Sequence, residues 1–155
     1  MDTEPVKMLK RAQFLAWLSK CALGLIFLAG SVACATAGTS ECSEAQARTA
    51  ENEIAGLDSW KAVHGAYQKY IHCDDGSVAE GYSEAIARLL VDRWQTITDL
   101  QKIVQRDSKF LDFVASHVDE TLDERDLNAI HLSAATECPP MVAAVCSRLA
   151  KEAAK

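Results

Sequence analysis

Glycine and proline are scarce in this sequence, seven and three in 155 residues, and no segment alternates apolar and polar residues long enough to make a strand. A sheet-based fold is thereby excluded. Also missing are a Cys-x-x-Cys pair, a His-Glu-x-x-His helix, a Gly-x-Ser-x-Gly elbow and a phosphate-cradling glycine loop. The local signatures of zinc sites, serine hydrolases and nucleotide binders are therefore absent. Basic clusters are lacking too: Lys102, Arg106 and Lys109 are spaced apart and mixed with Asp107, so the counterion release that drives nucleic-acid binding has no footprint.

Charge is missing altogether from Cys21 to Ala37, seventeen residues preceded by Lys7, Lys10, Arg11 and Lys20 and closed by Ala35-Thr36-Ala37. A basic flank, an apolar stretch and small residues at its end read as an export signal over 1–37. The stretch falls short of the roughly 20 apolar residues that span a bilayer, so cleavage is expected over a retained anchor. A cut after Ala37 leaves an even set of four cysteines, whereas a cut after Ala33 leaves Cys34 as an odd thiol unless it is lipidated. The expected product is periplasmic or secreted, with a lipoprotein acylated at Cys34 as the alternative. Its only expected link to a membrane is through the signal or that acyl chain.

What remains, 38–155, is long enough for one domain with a real core. It carries 12 Lys and Arg against 20 Asp and Glu, a formal charge of −8, which suits a basic protein partner and disfavours nucleic acid. Apolar residues recur at helical spacing, which predicts an all-α bundle of about six to seven helices. The first runs from about Ser43 to Ala55, opened by the capping-box pattern Ser43-Glu44-Ala45-Gln46. The second carries Trp60, Val63, Tyr67, Tyr70 and Ile71. A further capping box at Ser77-Val78-Ala79-Glu80 is expected to open a third helix running through Trp94. Shorter helices follow from Thr96, from Asp107-Ser108 and from Thr121. The last of these stops before Pro139-Pro140, after which Met141 to Lys151 forms a final helix.

The four cysteines, Cys42, Cys73, Cys138 and Cys146, allow three pairings. If the first two helices form an antiparallel hairpin, Cys42 and Cys73 meet at one end. Cys138 and Cys146 then bridge locally, provided the last helix starts at or after Met141, since a continuous helix would hold them about 12 Å apart. A crossed pairing of Cys73 with Cys138 is the competitor. Metal ligation by the four is not expected in an oxidising compartment.

Two acidic runs are candidates for recognition. One is the corner His72-Cys73-Asp74-Asp75-Gly76-Ser77 with Glu80 and Glu84 beyond it, whose spacing does not match a calcium loop. The other runs from Asp119 and Glu120 to Asp126. Helix capping and dipole compensation account for much of both runs, and the binding candidates are Asp74, Asp75, Glu84, Asp119 and Glu120. Glu80 and Glu84 share a helix face, so they cannot flank a glycosidic bond. His64 and His117 read as residues at the edge of the core, and an enzyme would require His72 or His117 to converge with distant carboxylates. Gly65 and Gly81, inside expected helices, suggest close approach of the second and third.

These readings make the chain an exported, non-catalytic interaction protein that binds its partner through an acidic face, an inhibitor or immunity-type binder with no cofactor and no metal. Exported inhibitors, immunity proteins and chaperones resemble it in architecture alone, which does not imply function. The alternative is a carrier of a small apolar ligand, with Trp60, Tyr67, Tyr82 and Trp94 lining a pocket between helices.

Overall fold

The structure, a computed structural model, describes residues 41–155. The expected export segment, its cleavage points and Cys34 lie outside the described residues. Among the described residues there are seven α-helices and no strand. Helix α1 (Glu44–Ile54) opens on the anticipated capping box: Gln46 N–H donates to Ser43 Oγ and Ser43 N–H to Gln46 Oε1. Its buried face is thin, only Ala50 and Ile54. Helix α2 (Trp60–Tyr70), capped by Ser59, buries Trp60, Val63, Ala66 and Tyr70 and passes into a 3₁₀ turn at Ile71–Cys73. Glu53 of α1 clasps the end of α2, accepting from Lys69 Nζ at 2.7 Å and Tyr70 Oη at 2.8 Å. The Lys69 bond first, then that of Tyr70, holds its carboxyl below the usual range.

Helix α3 (Gly76–Asp92), the longest among the described residues, is the spine, packed against α1, α2 and the later helix α6 (Glu124–Thr136). It buries Val78, Tyr82, Ala85, Ile86, Leu89 and Leu90 on its core side. Each fully buried side chain of the size of Ile86 or Leu90 contributes about 1.5–3 kcal/mol relative to exposure. A turn at Trp94–Thr96 leads to α4 (Ile97–Val104), which lies on α2. After α4, α5 (Lys109–Ser116) packs on α7 (Ala143–Glu152), and α7 pairs most extensively with α6. Trp60 Nε1 donates to Thr96 Oγ1 at 3.0 Å and Trp94 Nε1 to the Glu137 carbonyl at 3.1 Å, so both indoles are anchored within the core.

Among the described residues the cysteines pair as Cys42–Cys73 and Cys138–Cys146, with Cα separations of 4.9 and 6.1 Å. The first bridge closes the α1–α2 hairpin. The second spans the turn Pro140–Val142 before α7, so Cys138 stands outside the last helix as local bridging requires.

Several caps differ from expectation. α3 begins at Gly76, with Asp75 Oδ1 accepting from Gly76 N–H, and Gly76 takes φ 51°, the left-handed region that glycine enters without a Cβ penalty. Ser77 instead donates its hydroxyl to Glu51 of α1, so the box with Glu80 does not form. Thr96 spends its hydroxyl on the Arg93 carbonyl and on Trp60 rather than on α4. α3 also stops two residues short of Trp94. The start near Thr121 moves to Glu124, capped by Asp123, while Thr121 bonds Asp119. Close approach holds at Gly81 alone, and toward α1: a Cβ there would stand 2.9 Å from Ile54 Cγ2, whereas none of the atoms around Gly65 comes within 4 Å of one.

Candidate functional site

Helix α3 carries a second stripe besides its core face. Glu80, Ser83, Glu84, Ala87, Arg88 and Val91 recur at intervals of three and four and form one wall of a cleft of about 820 Å³. The opposite wall comes from the segment after α5 and the start of α6, with Asp119, Leu122, Asp123 and Asp126, and Asp74 closes one end. The two acidic runs, far apart in sequence, therefore face each other. Asp92 adds to the first wall. Seven carboxylates line the cleft against one guanidinium, Arg88.

Arg88 Nη1 lies 3.0 Å from Glu84 Oε1. Asp123 is engaged outward by Arg125, whose side-chain bonds and then its backbone N–H hold the carboxyl below its usual range. Asp119 Oδ1 accepts from the Thr121 N–H and hydroxyl. Glu80, Asp92 and Asp126 have no cation within 4 Å among the described residues.

The floor is polar and buried. His117, the C-cap of α5, is only 5% exposed; its Nδ1 lies 2.9 Å from Ser83 Oγ and its Nε2 3.3 Å from Asp74 Oδ2. The second contact lacks the alignment of a hydrogen bond, leaving Nε2 unpartnered, as are Asp74 Oδ1 and the buried Tyr82 hydroxyl. Rings seat the imidazole: Phe113 meets it edge-on at 4.6 Å and Tyr82 is tilted at 5.7 Å. Burial first, and then the charge of Asp74, pushes the Tyr82 phenol far above its ordinary value.

Serine, histidine and aspartate in a row invite comparison with an acyl-transfer triad, but the surroundings oppose that chemistry. Ser83 lies mid-helix, where backbone N–H groups are committed to the ladder, and seven carboxylates would destabilise a developing oxyanion. The same field favours a cation.

Of the five sequence-derived binding residues, Asp74, Glu84 and Asp119 line the cleft. Asp75 is turned to the cap of α3 and Glu120 is exposed outside the lining. From its spacing His117 reads as a core-edge residue, and no local motif marks Ser83, Arg88, Asp92 or Asp126 as part of a site. The polar stripe on α3 was the readable sign. Among the described residues, no three His, Cys, Asp or Glu side chains are grouped to hold a metal ion.

The four aromatic residues do not line a common cavity. Tyr82 is fully buried and meets Phe113 edge-on at 5.0 Å, and Tyr67 packs on Phe113 at 4.7 Å and Phe110 at 5.3 Å. Trp94 is in the core, and Trp60 borders a groove of about 570 Å³ with Leu89 and Ile103, rimmed by Lys61, Arg93 and Lys102.

No protein-family model matches the chain, and comparison with curated proteins and with solved structures likewise finds no match.

Proposed function

We propose that the chain is an exported interaction protein whose acidic cleft receives a basic partner protein. The observation that carries this reading is the convergence of two distant acidic segments on one concave site holding seven carboxylates and one arginine. Facing walls of one sign focus the field and raise the local concentration of an oppositely charged partner. Two disulfides fit an oxidising compartment, and among the described residues no helix is long and apolar enough to cross a membrane. One bridge ends at Cys73, next to Asp74, and so braces the end of the cleft.

The test is capture of a partner from the exported fraction of the native cell, followed by titration of the purified pair. Glu80→Lys with Asp126→Lys should abolish binding, Lys102→Ala on the other groove should leave it unchanged, and affinity should fall as salt rises. Equal affinity for the charge-reversed protein would overturn the reading. The apolar-carrier alternative has weaker support, since one of its four aromatic residues borders a cavity.

A further inference from the structure

We propose that the groove bordered by Trp60 is a second binding site and that it takes a small organic anion with an aliphatic tail, of the class of a medium-chain carboxylate. The groove and the acidic cleft share no lining residue, so either reading can fail without the other. It lies where the start of α2, the end of α3 and α4 meet, and its volume of about 570 Å³ falls within the range of small-molecule pockets.

Floor and rim differ in chemistry. Trp60 and Leu89 are each 2% exposed and Ile103 is half-buried. The polar atoms among them are already spent: Trp60 Nε1 donates to Thr96 Oγ1, whose hydroxyl donates to the Arg93 carbonyl, and His64 Nε2 lies 3.0 Å from Asp107 Oδ2. An occupant therefore gains at the floor by covering apolar surface.

The rim is basic on an acidic chain. From 38 to 155 carboxylates outnumber Lys and Arg by 20 to 12, yet four of the twelve cations, Lys61, Arg93, Lys102 and Arg106, line this groove against two carboxylates, Asp58 and Asp99. Asp99 Oδ1 accepts from Lys102 Nζ at 2.7 Å, which neutralises one pair. Arg93 Nη1 donates to the Asp58 carbonyl at 2.7 Å, keeps its charge and offsets the Asp58 carboxylate. Lys61, on the α2 wall, and Arg106, just beyond the end of α4, have no carboxylate within 4 Å among the described residues. Two uncommitted cations over an apolar floor complement a carboxylate head on an apolar tail. The first N–H groups of α2, without intrahelical acceptors, add to the positive field on the same wall. An extended anionic surface fits less well, because it would meet the net charge of −8 over 38–155, whereas a small anion meets the rim alone.

The experiment titrates the full chain, both disulfides intact and at physiological salt, with octanoate, octylammonium and butyrate, each below its micelle concentration. It follows the NMR signal of the Trp60 indole N–H, which reports the groove itself. Octanoate should move that signal saturably and bind about tenfold more tightly than octylammonium, against the order that net charge alone would set. Butyrate, with the same head and half the tail, should bind about tenfold more weakly than octanoate. Lys61→Ala with Arg106→Ala, both at exposed positions, should weaken octanoate about tenfold, and Lys151→Ala on α7 should leave it within about twofold. Octylammonium binding as tightly as octanoate would overturn the anion assignment, and butyrate matching octanoate would overturn the aliphatic tail. An unmoved Trp60 signal, or an equal loss from Lys151→Ala, would overturn the site.

Discussion

Asp74 Oδ2 stands 3.3 Å from His117 Nε2, joining the turn after α2 to the end of α5 at the floor of the acidic cleft. The ring is held from its other side by Ser83 at 2.9 Å. Ser83→Ala should therefore strip a buried nitrogen of its only hydrogen-bond partner, at a cost of about 1–3 kcal/mol. Urea unfolding measures it. A cycle with His117→Phe should show a coupling above about 0.5 kcal/mol, and strict additivity would mean that the two side chains act independently.

The two disulfides should differ in weight. Cys42–Cys73 spans 31 residues and Cys138–Cys146 only 8. Loop-closure entropy then assigns about 3.7 kcal/mol to the first and about 2.5 kcal/mol to the second. Replacing each pair by serines and comparing denaturant midpoints checks the order. The first replacement should also weaken partner binding, because it frees the segment carrying Asp74.

Gly65 and Gly81 predict opposite outcomes for one substitution. Gly65 is exposed in mid-helix with open space around it, so Gly65→Ala should stabilise by about 0.5–1 kcal/mol. At Gly81 the new methyl would sit 2.9 Å from Ile54 Cγ2, a branch on a buried side chain. Overpacking of this kind costs about 1–3 kcal/mol and should outweigh the propensity gain. Thermal melts of the two variants should shift in opposite directions.

Tyr82 should make stability fall in alkali. Its folded pKa is raised, by burial first, above the ordinary phenol value of about 10. Below that value both states carry the proton; above it the unfolded chain loses its proton first, and stability declines as pH rises. Absorbance at 295 nm should show a phenol that ionises only as the helical circular dichroism is lost. Tyr82→Phe should flatten the alkaline decline, and a decline left unchanged would place its cause elsewhere.

The helices were legible because their evidence is local. Trp60, Val63 and Tyr70, or Tyr82, Ile86 and Leu89, mark a buried face by spacing alone, whereas the helix ends ranked Cys42–Cys73 with Cys138–Cys146 first and left the crossed Cys73–Cys138 pairing for the structure to exclude. Caps were read less well for a physical reason. A serine or threonine hydroxyl binds whatever partner the fold brings near: Ser77 found Glu51, and Thr96 found Trp60 and Arg93.

The same division holds for the candidate site. Composition and spacing determined an acidic helical chain with two acidic runs and with Cys42, Cys73, Cys138 and Cys146 near helix ends, since charge and periodicity belong to the residues themselves. That the runs face each other across one cleft, that Asp75 and Glu120 stay out while Ser83 and His117 form the floor, was decided only by the tertiary structure. Convergence depends on how α3, α5 and α6 pack, and packing is set by side chains distant in sequence, which no local pattern records.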